Sequence, residues 1–336
     1  MYKALLYKKL PENKVQCNLC ARRCVIAEEK CGFCGVRKNE KGKLYSLVYS
    51  KAIAAHLDPI EKKPFFHFLP GSYSLSIATV GCNMTCLHCQ NADISQMPRE
   101  TGEILGQDLP PEEIVKKAIS YKVPSISYTY TEPTIFIEYA LDTMKLAKKQ
   151  GLKNNWVTNG YMTREALETV APYLDAANVD LKFFRDELYQ KICGVKLQPV
   201  LESLKLMKKL KIHLEVTTLV IPGYTDRGNQ FGEIARFIKN ELSATTAWHI
   251  SRFFPTYKML EVPPTPPEII HRAAEIGKKE GLKYVYAGNL PGDRGENTYC
   301  PKCKELVIQR IGYEIKRFDK DGFCPKCGEE IDLVLK

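Results

Sequence analysis

The sequence predicts an α/β fold built on a parallel sheet, with small cysteine-rich metal-binding appendages at both termini. Three observations predict it. Between Tyr73 and Gly288, apolar strand-like runs alternate with amphipathic helical segments about six times. Such alternation gives a parallel sheet with crossover helices, closing as a full or partial barrel. Twelve of the thirteen cysteines fall into three groups, one before the alternation, one in its first unit and one after it. A chain of 336 residues is also long enough for one large core with small additions. The predicted divisions are a cysteine-rich knuckle and lead-in over 1–70, the core over 71–297 and a four-cysteine ribbon over 298–336.

The elements follow in order. CNLCARRC and KCGFCGVR place Cys17, Cys20, Cys24, Cys31 and Cys34 in the first 36 residues, a structural metal knuckle holding zinc or an iron–sulfur cluster. Residues 42–71 read as irregular, with one strand at Leu44–Ser50, and lead into the first core strand, YSLSIATV. After the GCNMTCLHCQN loop the expected strands are Ser125–Tyr130, LKNNWVTN, Ala176–Lys182, Ile212–Val220, the TTAWHISRF segment and Leu282–Gly288. The helices between them begin at Pro110–Pro111, at Thr163 as a cap and at proline-rich stops, and one ends at Gly151. YCPKC and FCPKCGEE then set Cys300, Cys303, Cys324 and Cys327 in two pairs, with twenty residues between Cys303 and Cys324. That spacing predicts a closed structural zinc site.

Net charge is +10, and the basic residues are spread along the chain, as solubilising surface lysines are. There is no run of eighteen apolar residues, so no membrane span is expected, and the N-terminal stretch lacks the apolar core of a signal peptide. Tight Cys-x-x-Cys spacing in a large chain reads as metal binding, which predicts a reducing, cytoplasmic compartment.

Cys82, Cys86 and Cys89 form the one group that is a ligand short. An iron–sulfur cubane takes one cysteine per iron, so three thiolates leave a fourth iron open to substrate. In parallel barrels catalytic side chains come from the C-terminal ends of strands. Those ends offer Glu132, then Thr158 and Asn159, then Asp180 and Lys182, then Glu215 and Thr217, and last His249 and Arg252. Each has a plain structural reading, as a cap, an ion pair or a core histidine. Together they suit a ligand carrying amino, carboxylate and ribose groups.

GCNMTCLHCQN resembles the CxxxCxxC loop of the radical S-adenosylmethionine (SAM) enzymes. The wider pattern resembles the radical SAM enzyme of the AmmeMemoRadiSam system, related to the pyruvate formate-lyase activating enzymes. It is carried by CNLCARRC, GFCGVR, LDPIEKKPFFHFLPGS, SYTYTEPTIF, TNGYMT, DLKFF, PVLESL, LVIPGYTD, WHISRFFP and YVYAGNLPG. The resemblance implies a partial parallel (β/α)6 radical SAM barrel. It implies a [4Fe–4S] cluster on Cys82, Cys86 and Cys89, and reductive cleavage of SAM to a 5′-deoxyadenosyl radical that takes hydrogen from a substrate. His88 would lie near the adenine. Thr158, Asn159, Asp180, Lys182 and His249 match positions that contact the methionine or ribose, and Asn91, Glu132 and Arg252 complete the candidate cofactor-binding set. TYTEP keeps Glu132 and Pro133 without the glycines usual before them. Cys34 fits the GxCGVR position, so Cys17, Cys20, Cys24 and Cys34 are the preferred N-terminal ligands, with Cys31 extra. Between Asn91 and Ile192 there is no cysteine, so the extra clusters that several glycyl-radical activases carry there have no counterpart. The implied partners are a flavodoxin or ferredoxin as electron donor and a protein or small-molecule substrate. RNA bound through the zinc ribbon is the first alternative. A non-catalytic iron–sulfur carrier is the second, and the ligand-shaped mouth argues against it.

Overall fold

The computed structural model describes residues 1–336. Its centre is one sheet of eight strands: β1 (Ala54–Pro59), β2 (Tyr73–Ala78), β3 (Ser125–Tyr128), β4 (Lys153–Thr158), β5 (Ala176–Asp180), β6 (His213–Val220), β7 (Ala247–Arg252) and β8 (Val285–Gly288). Strands β2 to β8 lie side by side in chain order and run parallel, while β1 pairs antiparallel with β2 at one edge. Each step between parallel neighbours is a helical crossover, through α1 (Pro111–Ser120), α2 (Ile137–Lys149), α3 (Arg164–Val170), α4 (Gln198–Lys209), α5 (Gln230–Phe237) and α6 (Pro267–Lys279). The Thr163 hydroxyl accepts from the Ala166 amide and caps α3, as the sequence suggests.

Residues 42–71 are more ordered than expected. They contain β1 and a shorter strand at Lys43–Ser46. AAHLDP shows no apolar alternation because an edge strand with three exposed positions in a row does not need it.

Strand period two divides the sheet into two unlike faces. Register places Ser76, Asn155, Asn178, Thr217 and His249 on one face. On the other lie Ile77, Trp156, Val179, Val216, Trp248 and Ala287, which belong to the main hydrophobic core with residues of the crossover helices. The first face is joined crosswise: Ser127 Oγ donates to Asn155 Oδ1 at 2.7 Å, and Thr217 Oγ1 to Asn178 Oδ1 at 2.8 Å.

The N-terminal knuckle is fixed to this body by a buried ion pair. Arg37, 1% exposed, reaches Glu138 of α2 at 2.8 and 3.0 Å, and donates to the Leu5 carbonyl at 2.6 Å. Breaking a buried pair from one side strands the other charge. Arg37→Leu is therefore expected to lower unfolding stability by about 3–5 kcal/mol, read from denaturant midpoints.

At the far end of the polar face, Glu215 gathers four donors. It accepts from the Phe66 and His67 amides at 3.0 and 2.9 Å, and from His213 and His249 at 3.2 and 2.6 Å. The C-terminal segment closes the same end. Its strands Thr298–Tyr299, Leu306–Ile311 and Glu314–Arg317 form an antiparallel sheet, and buried Arg310 donates to the Phe66 carbonyl at 2.8 Å with its guanidinium over the Phe66 ring. Burial by itself raises the Glu215 carboxyl, but hydrogen bonds and charge from His213 and His249 outweigh it and hold the group well below its ordinary 4.5. A carboxyl depressed on folding stabilises the native state above its unfolded pKa, and that stability is lost as pH falls through the folded value. Unfolding stability is thus expected to decline as pH drops below 4.5. A Glu215→Gln protein should be less stable at neutral pH and show a flatter decline in acid. No helix is long and apolar enough to cross a membrane.

Candidate functional site

The loop of Cys82, Cys86 and Cys89 leaves the C-terminal end of β2 through Gly81, whose φ of +100° favours glycine. A Cβ there would also meet Val36 Cγ1 at 2.7 Å and the Cys34 carbonyl at 3.0 Å. The loop is therefore seated directly on the N-terminal knuckle. Two arginines clamp its backbone. Arg99 donates to the Cys82 and Met84 carbonyls at 2.7 and 2.8 Å. Arg22 donates to the Asn83 carbonyl at 2.6 Å and to the Gly194 carbonyl at 2.8 Å. The Arg22 and Arg99 guanidiniums lie over the Phe33 ring, 3.4 and 4.7 Å from its centroid respectively. The other side of the loop is held by main chain: Thr85 and Leu87 amides donate to the Cys193 and Ile192 carbonyls at 3.0 and 2.9 Å.

Each loop thiol has its own surroundings. Cys82 Sγ accepts from the Met84 amide at 3.4 Å and stands 3.8 Å from Asn159 Nδ2. Cys89 Sγ lies 3.2 Å from Ser95 Oγ. Cys86, the most buried, shares a tight group with His88 and Cys193 in which all ligand atoms fall within 4.8 Å. His88 is 4% exposed, edge-on to Phe183, and neither ring nitrogen has a partner. Burial, with the nearby Lys182 charge, pushes it down to about 3, so the ring is neutral.

The strand ends bring several expected residues to this loop. Asn159 donates to Asn83 Oδ1 at 2.8 Å. Lys182 and Asp180 pair at 2.8 Å, with Lys182 also close enough to feel Cys86 and Cys193. Burial would lower Lys182, but the charge of Asp180 and those thiols outweighs it and keeps the ammonium protonated. Asn91 donates to the Tyr130 carbonyl at 2.8 Å and fixes the loop's exit.

Other residues stand elsewhere. Glu132 is 1% exposed and spends both oxygens on scaffold: Thr134 N, Thr134 Oγ1 and Thr158 Oγ1 donate to Oε1 at 3.0, 2.5 and 2.8 Å, and Asn159 N to Oε2 at 2.8 Å. It thus places Asn159, and Thr158 serves it. His249 belongs to the Glu215 network, between the Phe66 and Tyr286 rings, away from the loop. Arg252 is three residues beyond His249 and so faces the opposite side with Trp248 and Ile250; it donates to the Thr265 carbonyl at 2.7 Å. A shared mouth position for His249 and Arg252 is therefore not what the structure shows, because an odd separation on a strand reverses the face.

Arg22 and Arg99 carry no signal in the sequence, since their role depends on contacts between distant segments. Cys300, Cys303, Cys324 and Cys327 have all four sulfurs within 4.8 Å of one another, with 3.6 Å between Cys300 and Cys327 and 3.5 Å between Cys303 and Cys324. Cys17, Cys20, Cys24 and Cys34 line one pocket, and Cys31 is exposed outside it.

Known proteins share this sequence and fold. Residues 76–238 match the family model described as the radical SAM superfamily. The chain is 47% identical to an uncharacterized protein of Methanocaldococcus jannaschii over the full length of both. It is 25% identical over 171 residues to the pyruvate formate-lyase 1-activating enzyme of Escherichia coli, covering 48% of this chain and 67% of that one. Among solved structures, Streptococcus suis SuiB bound to precursor peptide SuiA superposes with a TM-score of 0.52 at 15% identity, over 69% of this chain and 52% of that one. A radical SAM methyltransferase from Sphaerobacter thermophilus gives 0.51 at 14% identity, over 65% and 66%. At these identities the two structures speak to the fold alone.

Proposed function

We propose, from the match of residues 76–238 to the radical SAM superfamily model, that Cys82, Cys86 and Cys89 hold a [4Fe–4S] cluster with one iron left for SAM. The observation that carries this reading is the loop itself: three thiols at the C-terminal end of β2, clamped by Arg22 and Arg99, with the Asp180–Lys182 ion pair close to Cys86. The donor set fits the group. All three are free, soft sulfur ligands of the kind an iron–sulfur cluster takes. When bound, the cluster and SAM supply reductive cleavage to methionine and a 5′-deoxyadenosyl radical able to take hydrogen from a substrate.

The chain's own residues do the rest. Asp180 is placed to accept from the methionine ammonium or a ribose hydroxyl, and Lys182 to donate to the methionine carboxylate. Asn159, held by Glu132, orients the neighbourhood of Cys82. Neutral, unpartnered His88 is available to the adenine side. The sheet closes here as a partial barrel around the polar face of β2 to β8, within the assignment to the AmmeMemoRadiSam branch. The four C-terminal cysteines take zinc in a closed structural site, which their sulfur spacing suits. The electron comes from a flavodoxin or ferredoxin, and the substrate is a protein or a small molecule.

The reading is tested by electron paramagnetic resonance of the reconstituted, dithionite-reduced protein. Adding SAM is expected to shift the cluster spectrum, because its amino and carboxylate groups take the vacant iron. A spectrum that stays unchanged at saturating SAM, with the loop's iron and sulfide present, would rule out an open iron.

A further inference from the structure

We propose that Cys17, Cys20, Cys24 and Cys34 hold a second cluster of the four-iron, four-sulfide class, adjoining the loop of Cys82, Cys86 and Cys89. This goes beyond the function proposed above and does not depend on it.

Four observations carry the proposal. First, these four thiols line a single pocket, while Cys31 is exposed and lies outside its wall. The fold thus selects four donors from five, the number a closed cubane takes. Second, the spacing of their sulfurs differs from that of a single-ion site. A tetrahedral zinc–thiolate site, with bonds near 2.3 Å, sets neighbouring sulfurs about 3.8 Å apart. The C-terminal quartet meets this, all four sulfurs falling within 4.8 Å of one another. The N-terminal cysteines form no such close group of three. Around a cubane, with an iron between each thiolate and the core, the cysteine sulfurs stand about 6 Å apart or more. The N-terminal site is therefore not drawn to the single-ion spacing of the C-terminal quartet.

Third, the pocket wall holds donors suited to an anionic cluster. Arg22 and Arg37 both line it. Arg37 is 1% exposed and spends its terminal nitrogens on Glu138 and the Leu5 carbonyl, yet its Nε has no partner. A buried N–H is costly to leave unpaired, and cluster sulfides and thiolates are acceptors. Fourth, the pocket shares a wall with the loop. Asn83, which follows Cys82, lines it, and Arg22, between Cys20 and Cys24, donates to the Asn83 carbonyl at 2.6 Å. The Cys34 carbonyl lies 3.0 Å from where a Gly81 Cβ would sit.

The test uses the full chain, reconstituted anaerobically with ferrous iron and sulfide. In a variant with Cys82, Cys86 and Cys89 all replaced by alanine, about four irons and four sulfides per chain are expected to remain, with a paramagnetic signal on reduction. The parent should bind about eight of each. Adding Cys20→Ser to the triple variant should remove the remaining iron, while Cys31→Ala in the same background should leave it. In the parent, the signal of the second cluster should relax faster once the loop cluster is also reduced, as adjoining paramagnets do. The proposal is overturned if the triple variant binds no iron, or if the parent holds two zinc ions and only the loop's iron. It is also overturned if the remaining iron survives Cys20→Ser or is lost with Cys31→Ala. One zinc per chain in every variant reports that the C-terminal ribbon is intact. Because the triple variant lacks the loop ligands, failure of the second cluster and failure of the SAM assignment give different results.

Discussion

Replacing Cys86 by alanine is expected to abolish SAM cleavage, slowing it by about a thousandfold or more, equivalent to at least about 4 kcal/mol of lost activation. Cys86 is the most buried thiol of the loop, and the main-chain bonds from Thr85 and Leu87 to Cys193 and Ile192 hold it in place. Two remaining thiolates do not hold a cubane that needs a protein ligand on each of three irons. The substitution itself removes only a sulfur and leaves the loop's clamps, Arg22 and Arg99, untouched. Loss of activity should therefore come with loss of the loop's iron, while the iron-free parent and variant differ little in unfolding midpoint. Cys193 shares the buried group of Cys86 and His88 but lies outside the loop, so it is not expected to take the place of the missing loop ligand. Cys193→Ser in the parent should leave cleavage intact. If Cys86→Ala protein cleaves SAM as fast as the parent, the loop is not the cluster site.

The second large effect is on stability. Glu132→Ala is expected to cost about 4 kcal/mol, because it orphans buried donors at Thr134, Thr158 and Asn159 and each unpaired donor costs about 1–3 kcal/mol before relaxation. Burial raises the Glu132 carboxyl while those same hydrogen bonds pull it back, so the group is held by its donors and not by an opposite charge. The loss reaches the site through the Asn159 amide, bonded to Oε2 at 2.8 Å, whose side chain stands beside Cys82. Thr158→Val removes one donor to Glu132 and the acceptor of the Gly160 amide, and should cost less, about 2 kcal/mol. Chemical denaturation of the two variants separates the outcomes; equal, small losses would show that Glu132 is not the organiser of this strand end.

Much of the fold was legible because it rests on local signals. Apolar runs with period two, helices opened by Pro111 and by the Thr163 cap, and turn residues between them mark seven parallel strands in order. Strand β1 was not legible, since AAHLDP is an exposed edge whose partner, β2, is specified elsewhere in the chain. The loop was legible for a different reason: cysteine spacing is itself the chemistry. Asp180 and Lys182 could be placed together from their separation by two residues. His249 and Arg252 could not, because whether a polar residue faces the mouth or a structural partner depends on what fills the space opposite. For His249 that is Glu215 and the Phe66 segment, and for Arg252 the Thr265 carbonyl. The clamps Arg22 and Arg99 were invisible on the same ground, as their acceptors are main-chain carbonyls that any sequence offers.

One-electron cleavage of SAM at Cys82, Cys86 and Cys89 is what the proposed function requires of this chain. It is tested most directly by counting products from the anaerobically reconstituted protein given SAM and dithionite. 5′-Deoxyadenosine and methionine are expected in equal amounts, formed only when the reductant is present and absent in the Cys86→Ala protein. Protein with its full iron and sulfide content that forms no 5′-deoxyadenosine would contradict it.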